Sequence, residues 1–145
     1  MGLFDRKKRQ KPVWHDGIRF QNEKVRDRYI YLKTLERGGE IINLAYNVRF
    51  TVVPAIKDVK SVTYKDGRTR NIKYNVQNPS YMYVDFTYTL KNGEKVAEEV
   101  KSDPAKLSKY YLLKKKLMRV YNDIIVKEVY DPYDFDYANY GKKPR

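Results

Sequence analysis

Two hydrophobic periods divide the chain. Over residues 81–90, Met82, Val84, Phe86, Tyr88 and Leu90 alternate with Tyr81, Tyr83, Asp85 and Thr87, the period-2 pattern of a strand with one wholly apolar face. After Lys91-Asn92-Gly93-Glu94 the alternation resumes, with Val96, Glu98 and Val100 on one side and Ala97, Glu99 and Lys101 on the other. Residues 81–101 therefore predict a β-hairpin with Asp85 on its mixed face. Upstream, Val25, Tyr29, Leu32 and Leu35 recur at helical spacing between a cap at Asn22 and a stop at Gly38-Gly39, which predicts a helix to about Arg37. Leu44, Tyr46, Val48, Phe50 and Val52 then alternate with Ala45, Asn47, Arg49 and Thr51 as a half-buried strand. Downstream, Asp103 and Pro104 read as the cap and first position of a second helix. Its predicted buried side is Leu107, Tyr110, Leu113, Leu117, Val120 and Tyr121, with Lys115, Lys116 and Arg119 facing away, and Ile124–Val129 follows as a last strand.

The remaining segments decorate this core. Val13–Phe20 is a short strand or turn about Asp16-Gly17, and residues 54–80 read as an insertion with a hairpin, Val59–Tyr64 and Arg70–Val76, turning at Asp66-Gly67. The layout is a basic arm (1–16), a core domain (17–129, insertion 54–80) and an aromatic, acidic tail (130–145). Asp131, Asp134 and Asp136 in that tail make a poor metal cage without a fixed backbone. Its aromatic residues are expected to anchor it over the body or on a partner.

The length of the 91–94 turn decides whether two acids meet. A two-residue Asn-Gly turn would pair Phe86 with Glu99 and send Asp85 to the opposite face. A three-residue loop, with Gly93 left-handed as a bulge, pairs Leu90 with Glu94 and so Asp85 with Glu99, whose Cβ atoms would then lie about 5 Å apart. We expect the three-residue loop. Two carboxylates and an amine on one sheet face suit metal-assisted phosphodiester hydrolysis: Mg²⁺ takes hard oxygen ligands and keeps waters, and Lys101 can orient a water or offset charge on a phosphate. The same residues also fit a solvated ladder of Glu98, Glu99 and Lys101 on an ordinary hairpin. Acid-x-basic triplets recur at Asp5-Arg6-Lys7 and Asp58-Val59-Lys60, but only 99–101 follows a strand that carries an acid.

Charge adds a partner. The net charge of +13 over 145 residues is spread along the chain, and 15 tyrosines against one tryptophan favour surfaces that both stack and stay wet. A polyanion, nucleic acid above all, is the expected partner, with an acidic protein as the alternative and with Lys109, Lys115, Lys116 and Arg119 of the second helix and Arg68, Arg70 and Lys73 of the insertion as the phosphate contacts. Edge lysines that deter aggregation are the alternative for the insertion. With no cysteine and one histidine, disulfides and Cys-ligated zinc are excluded, and a histidine-based triad is possible only at His15. No apolar run reaches the roughly 20 residues of a membrane span, and residues 1–12 carry no apolar stretch of a secretory signal.

The order helix, strand, hairpin, helix, strand is the αβββαβ core of restriction-endonuclease-like nucleases, an α+β fold with a mixed central sheet flanked by two helices. Asp85, then residues 86–98, then Glu99-Val100-Lys101 matches their PD-(D/E)xK pattern, with Val84 in place of the proline. GIRFQNEKVRDRYIYLK, RFTVVPA, YVDFTY, VAEEVKS, YYLLKKKLMRVY and IIVKEV further resemble a family of small proteins of tailed phages and prophages assigned to that superfamily, over most of residues 17–129. The resemblance implies a phage-encoded, Mg²⁺- or Mn²⁺-dependent endonuclease in the bacterial cytoplasm, acting on DNA such as branched or recombination intermediates. Asp85, Glu99 and Lys101 would be catalytic, with Asp85 and Glu99 on the metal. Val25 stands where such nucleases often carry a further glutamate ligand, so Glu23 or Asp27 is the substitute to examine. A homodimer is an expectation from the fold alone. The competing readings are an inactive nucleic-acid-binding protein on the same fold and a phage interaction protein, anti-defence or structural, with a phage or host protein as partner.

Overall fold

The computed structural model describes residues 11–136. The elements are β1 (Val13–His15), β2 (Ile18–Phe20), α1 (Glu23–Arg37), β3 (Ile41–Val53), β4 (Ile56–Thr63), β5 (Thr69–Gln77), β6 (Ser80–Leu90), β7 (Lys95–Val100), α2 (Lys109–Asn122) and β8 (Val126–Val129). A four-stranded mixed sheet runs in the order β3-β6-β7-β8, antiparallel except for the parallel β7/β8 pair. It packs with the two helices in an α+β arrangement.

The first helix and the small hairpin before it follow the sequence expectation. Asn22 accepts a hydrogen bond from Val25 N–H at 3.0 Å as the α1 cap, a contact worth about 1 kcal/mol. Asp16 and Gly17, both at positive φ, turn β1 into β2. Val25, Tyr29 and Leu32 of α1 bury against Phe20, Ile41, Phe86, Tyr88 and Val96 to make one core. A second core gathers Val52, Met82, Val84, Ala97, Tyr111, Met118 and Val126 under α2.

Asp85 marks the place where the sheet passes from one core to the other. Tyr46 and Phe86 are paired and belong with the first core, whereas the next pair, Val48 and Val84, belongs with the second. Between them the register sets Asn47 opposite Asp85, and Asn47 is left-handed at φ 54. That conformation costs on the order of 1–3 kcal/mol for a residue with a Cβ, and asparagine tolerates it best after glycine. The β3/β6 ribbon turns at this step, and α2 fastens the far side of it: Asn122 donates to Thr51 O at 2.8 Å and Lys114 donates to Tyr81 O.

Two expectations for the second helix are corrected. Asp103 caps only a single 3₁₀ turn, Pro104–Lys106, and α2 proper starts from a second cap at Ser108. The buried residues of α2 are Tyr111 and Met118, with Leu107 and Leu117 half-buried, while Tyr110 and Val120 are each 68% exposed and Leu113 and Tyr121 are exposed as well. The predicted apolar side is therefore largely an open stripe.

The insertion forms its hairpin as expected. β4 and β5 pair only with each other, as a separate two-stranded sheet. The tail is anchored by aromatic contacts, Tyr133 against Tyr31 and Phe135 against Tyr88, and Asp131 caps its turn by accepting from Tyr133 N–H. Residues 1–10 of the basic arm and 137–145 of the tail lie outside the described residues. Among the described residues no helix is long and apolar enough to cross a membrane.

Candidate active site

Register assembles the site. The loop after β6 has three residues: Gly93 N–H donates to Leu90 O and Leu90 N–H to Glu94 O, both at 2.9 Å, and Gly93 sits at φ 88. Phe86 consequently pairs with Glu98, and the next step in the same register sets Asp85 opposite Glu99. There the side chains take over the ladder. Asp85 N–H donates to Glu99 Oε1 at 3.0 Å, and Val100 N–H donates to Asp85 Oδ2 at 2.8 Å. Both carboxylates are thereby held on backbone amides.

Lys101 completes the expected trio. Its ammonium lies 3.8 Å from Glu99 Oε2 and 4.0 Å from the centroid of the Tyr111 ring, and its carbonyl accepts from Lys24 at 2.8 Å. Burial is the main cause that raises the Asp85 carboxyl above its ordinary range. Glu99 is pushed up to about 8, first by burial and next by the charge of Asp85. Near neutrality Glu99 therefore keeps its proton beside the Asp85 carboxyl.

A stability signature follows. The folded chain keeps a proton on Glu99 that the unfolded chain releases above its ordinary 4.5, so this group's contribution is full at low pH and is lost as pH rises through about 8. We expect urea midpoints of the metal-free protein to fall across that window, by on the order of 2–4 kcal/mol, and Glu99→Gln to flatten the decline. Equal slopes in the two proteins would mean that the pair ionises freely.

The donor set suits a small hard dication. It offers two neighbouring carboxyl groups and a Glu99 proton that a cation would replace. Neither Glu23 nor Asp27 joins it. Asp27 holds Arg26 at 3.0 Å, and both acids line a cleft of about 760 Å³ that runs from the start of α1 to Val100, Lys101 and Ser102. Val25 is fully committed to the core. Among the described residues no set of three acidic, histidine or cysteine side chains converges on one point.

The solvated ladder is ruled out at Glu98. Its carboxylate is 0% exposed and takes Arg28 of α1 at 2.6 and 2.9 Å and the Tyr88 hydroxyl at 2.9 Å. Arg28 in turn donates to Pro132 O at 3.0 Å and to Asp134 O, so this pair ties β7 to α1 and to the tail.

The expected phosphate contacts fall into two groups. Lys109 and Lys116 are exposed on α2, and Arg70 and Lys73 on the β4/β5 hairpin. Arg68 is exposed beside Asp66, and Arg119 pairs with Asp123 at 3.2 Å. Lys115 does not face away: both Glu128 oxygens take its ammonium at 2.8 Å. His15 lies against Tyr29 and 3.3 Å from Asp16, away from the trio.

Two residues at the site carried no mark in the sequence reading. Glu128 of β8 is the register partner of Glu99. Tyr111 is 8% exposed, and its hydroxyl is buried without a hydrogen-bond partner among the described residues. Burial, followed by the charges of Glu128, Glu99, Tyr130 and Asp85, keeps that phenol protonated. The spacing Leu107, Tyr111, Met118 was its available signal, a second helical stripe beside the greasier one. No protein-family model matches the chain, and no curated protein or solved structure matches it either.

Proposed function

We propose that the protein is a metal-dependent endonuclease that hydrolyses DNA phosphodiester bonds, built on a restriction-endonuclease-like core. The observation that carries this reading is the Asp85–Glu99 pair, two half-buried carboxylates held on the backbone amides of Val100 and Asp85 respectively, with Lys101 beside them. A Mg²⁺ or Mn²⁺ ion held there would supply an activated water and neutralise charge on the phosphate. Asp85 and Glu99 would hold that ion through carboxylates that backbone amides orient. Lys101 brings a positive charge to where negative charge develops on the phosphate. Lys109, Lys116, Arg70 and Lys73, all exposed, hold the backbone through contacts that give affinity without base readout.

The test is cleavage of labelled linear duplex, single-stranded and four-way-junction DNA with Mg²⁺ or Mn²⁺. Cutting that stops with a chelator is expected, with the junction arm deciding whether branched intermediates are the substrate. DNA affinity should fall steeply with salt; binding that barely changes from low to moderate salt would remove the phosphate-contact picture. The second reading is a nucleic-acid-binding protein without catalysis, favoured by Val25 at the α1 position and by the absence of Glu23 and Asp27 from the pair. It predicts salt-sensitive binding and no cutting on any of the three DNAs. The open stripe of α2 favours a protein partner in addition to DNA, a second copy included.

A further inference from the structure

We propose that the β4/β5 hairpin is a reading ribbon: it lies in the major groove of duplex DNA and meets base edges with the amides and hydroxyls of one face. This rests on the reading of the protein as DNA-binding and goes beyond it, because phosphate contacts carry no sequence information. The first observation is exposure. β4 and β5 pair only with each other, and apart from the half-buried Val62 and Ile72 every residue of the two strands is exposed. A two-stranded ribbon alone is marginally stable in water, so one of this length gains from walls on either side. The eight-residue β4 spans about 27 Å, and the major groove of B-DNA, about 12 Å wide, admits such a ribbon.

The second observation is that the two faces differ. Register sets Ser61 opposite Asn71 and Thr63 opposite Thr69, and alternation puts Lys73 and Asn75 on the same face. Lys57 and Val59 complete it, so this face holds amides, hydroxyls and ammonium groups and no carboxylate. The opposite face packs on itself, with Val62, Ile72 and Tyr74, whose ring centre lies 5.1 Å from the Lys60 ammonium. The third observation is charge. Residues 54–80 carry six basic side chains against Asp58 and Asp66. Asp58 stands on the self-packed face and Asp66 in the turn, where it accepts from Arg68 N–H. The carboxylate-free face also holds its amide in place: Ser61 donates to Asn71 Oδ1 at 2.9 Å. That oxygen has a second lone pair and the amide nitrogen has two donors, the acceptor and donor that pair with adenine N6 and N7. The long chains of Lys57 and Lys73 reach past the base edges to the phosphates, so the Lys73 backbone contact is kept.

The probe is a duplex DNA chosen by the native protein from a randomised library, in a chelator so that nothing is cut. Native protein is expected to enrich an adenine-containing sequence and to bind it about tenfold more tightly than a scrambled duplex, the discrimination of one good base contact. Replacing its adenines by 7-deazaadenine removes the N7 acceptor from the major groove and leaves base pairing and the minor groove unchanged. The preference should then vanish. Asn71→Ala combined with Asn75→Ala should do the same, while the scrambled duplex binds as before and, both side chains being exposed, the melting temperature holds. Duplex RNA of the same sequence, whose major groove is too deep and narrow to read, should bind no better than the scrambled DNA. No enriched sequence, a preference indifferent to 7-deazaadenine, or one that survives in the double variant would each overturn the ribbon. Failure of the underlying reading looks different: no binding to any duplex removes the DNA partner and the ribbon with it. Sequence-preferring binding without cutting in Mg²⁺ keeps the ribbon and removes only the endonuclease.

Discussion

Arg28→Ala is expected to cost the fold about 3–5 kcal/mol, whereas replacing Arg28 and Glu98 together by Met and Leu should restore most of that loss. The physical reason is asymmetry. Both side chains are 0% exposed, and removing the guanidinium leaves a carboxylate in the core without its counter-charge, the Tyr88 hydroxyl still donating to it. Removing both charges leaves an apolar space of similar volume and no buried ion. Two carbonyls of the tail, Pro132 O and Asp134 O, also lose their donor in Arg28→Ala, so segment 131–136 should become the first site of proteolysis. At roughly 2–4 °C per kcal/mol for a chain of this size, the single variant should melt about 10 °C low. Urea denaturation of the two single variants and the double decides it. A double variant as unstable as the sum of the singles would mean that the two residues contribute independently and that the pair itself carries no coupling energy.

The neighbouring Glu99 should behave in the opposite sense, and the contrast explains what the sequence could convey. Alternation along 95–101 separates Glu98 from Glu99 by face, and Asn92-Gly93, given a three-residue loop, sets the register that brings Asp85 to Glu99. These are local facts, within reach of period and turn chemistry. The Arg28–Glu98 pair spans 70 positions, and in a chain so rich in charge each partner looks like surface. A trace was present nonetheless: Glu98 shares its face with Val96 and Val100, and Arg28 falls three residues after Val25 and four before Leu32 on the buried side of α1.

The face of α2 was illegible for a different reason. Helical periodicity selects the greasiest stripe, yet the helix turns to the sheet the side that the sheet can satisfy. Lys115 meets Glu128, Lys114 meets Tyr81 O, and Asn122 meets Thr51 O, which leaves Tyr111 and Met118 as the apolar contacts between them. The bend at Asn47 and Asp85 was equally hidden, because both strands keep perfect alternation through it.

Asp85→Asn is expected to reduce DNA cleavage by more than about a hundredfold while leaving DNA binding intact or tighter. Electrostatic activation at such a centre is worth several kcal/mol, and 1.36 kcal/mol is a factor of ten in rate. The amide keeps the shape of the carboxylate and can still accept from Val100 N–H, so the β6/β7 junction should hold and the melting temperature should not fall. Removing a negative charge from a surface that faces a polyanion favours binding, which separates a catalytic loss from a loss of affinity. Glu99→Gln should match it in rate and differ in pH. In native protein the Glu99 proton must leave before the pair can hold a cation, so cleavage should climb with pH up to about 8; in Glu99→Gln any residual activity should lack that limb. Cleavage at the native rate by Asp85→Asn would place the chemistry elsewhere. Joint loss of cutting, binding and melting temperature would instead make Asp85 a strut of the junction, holding Val100 and nothing more.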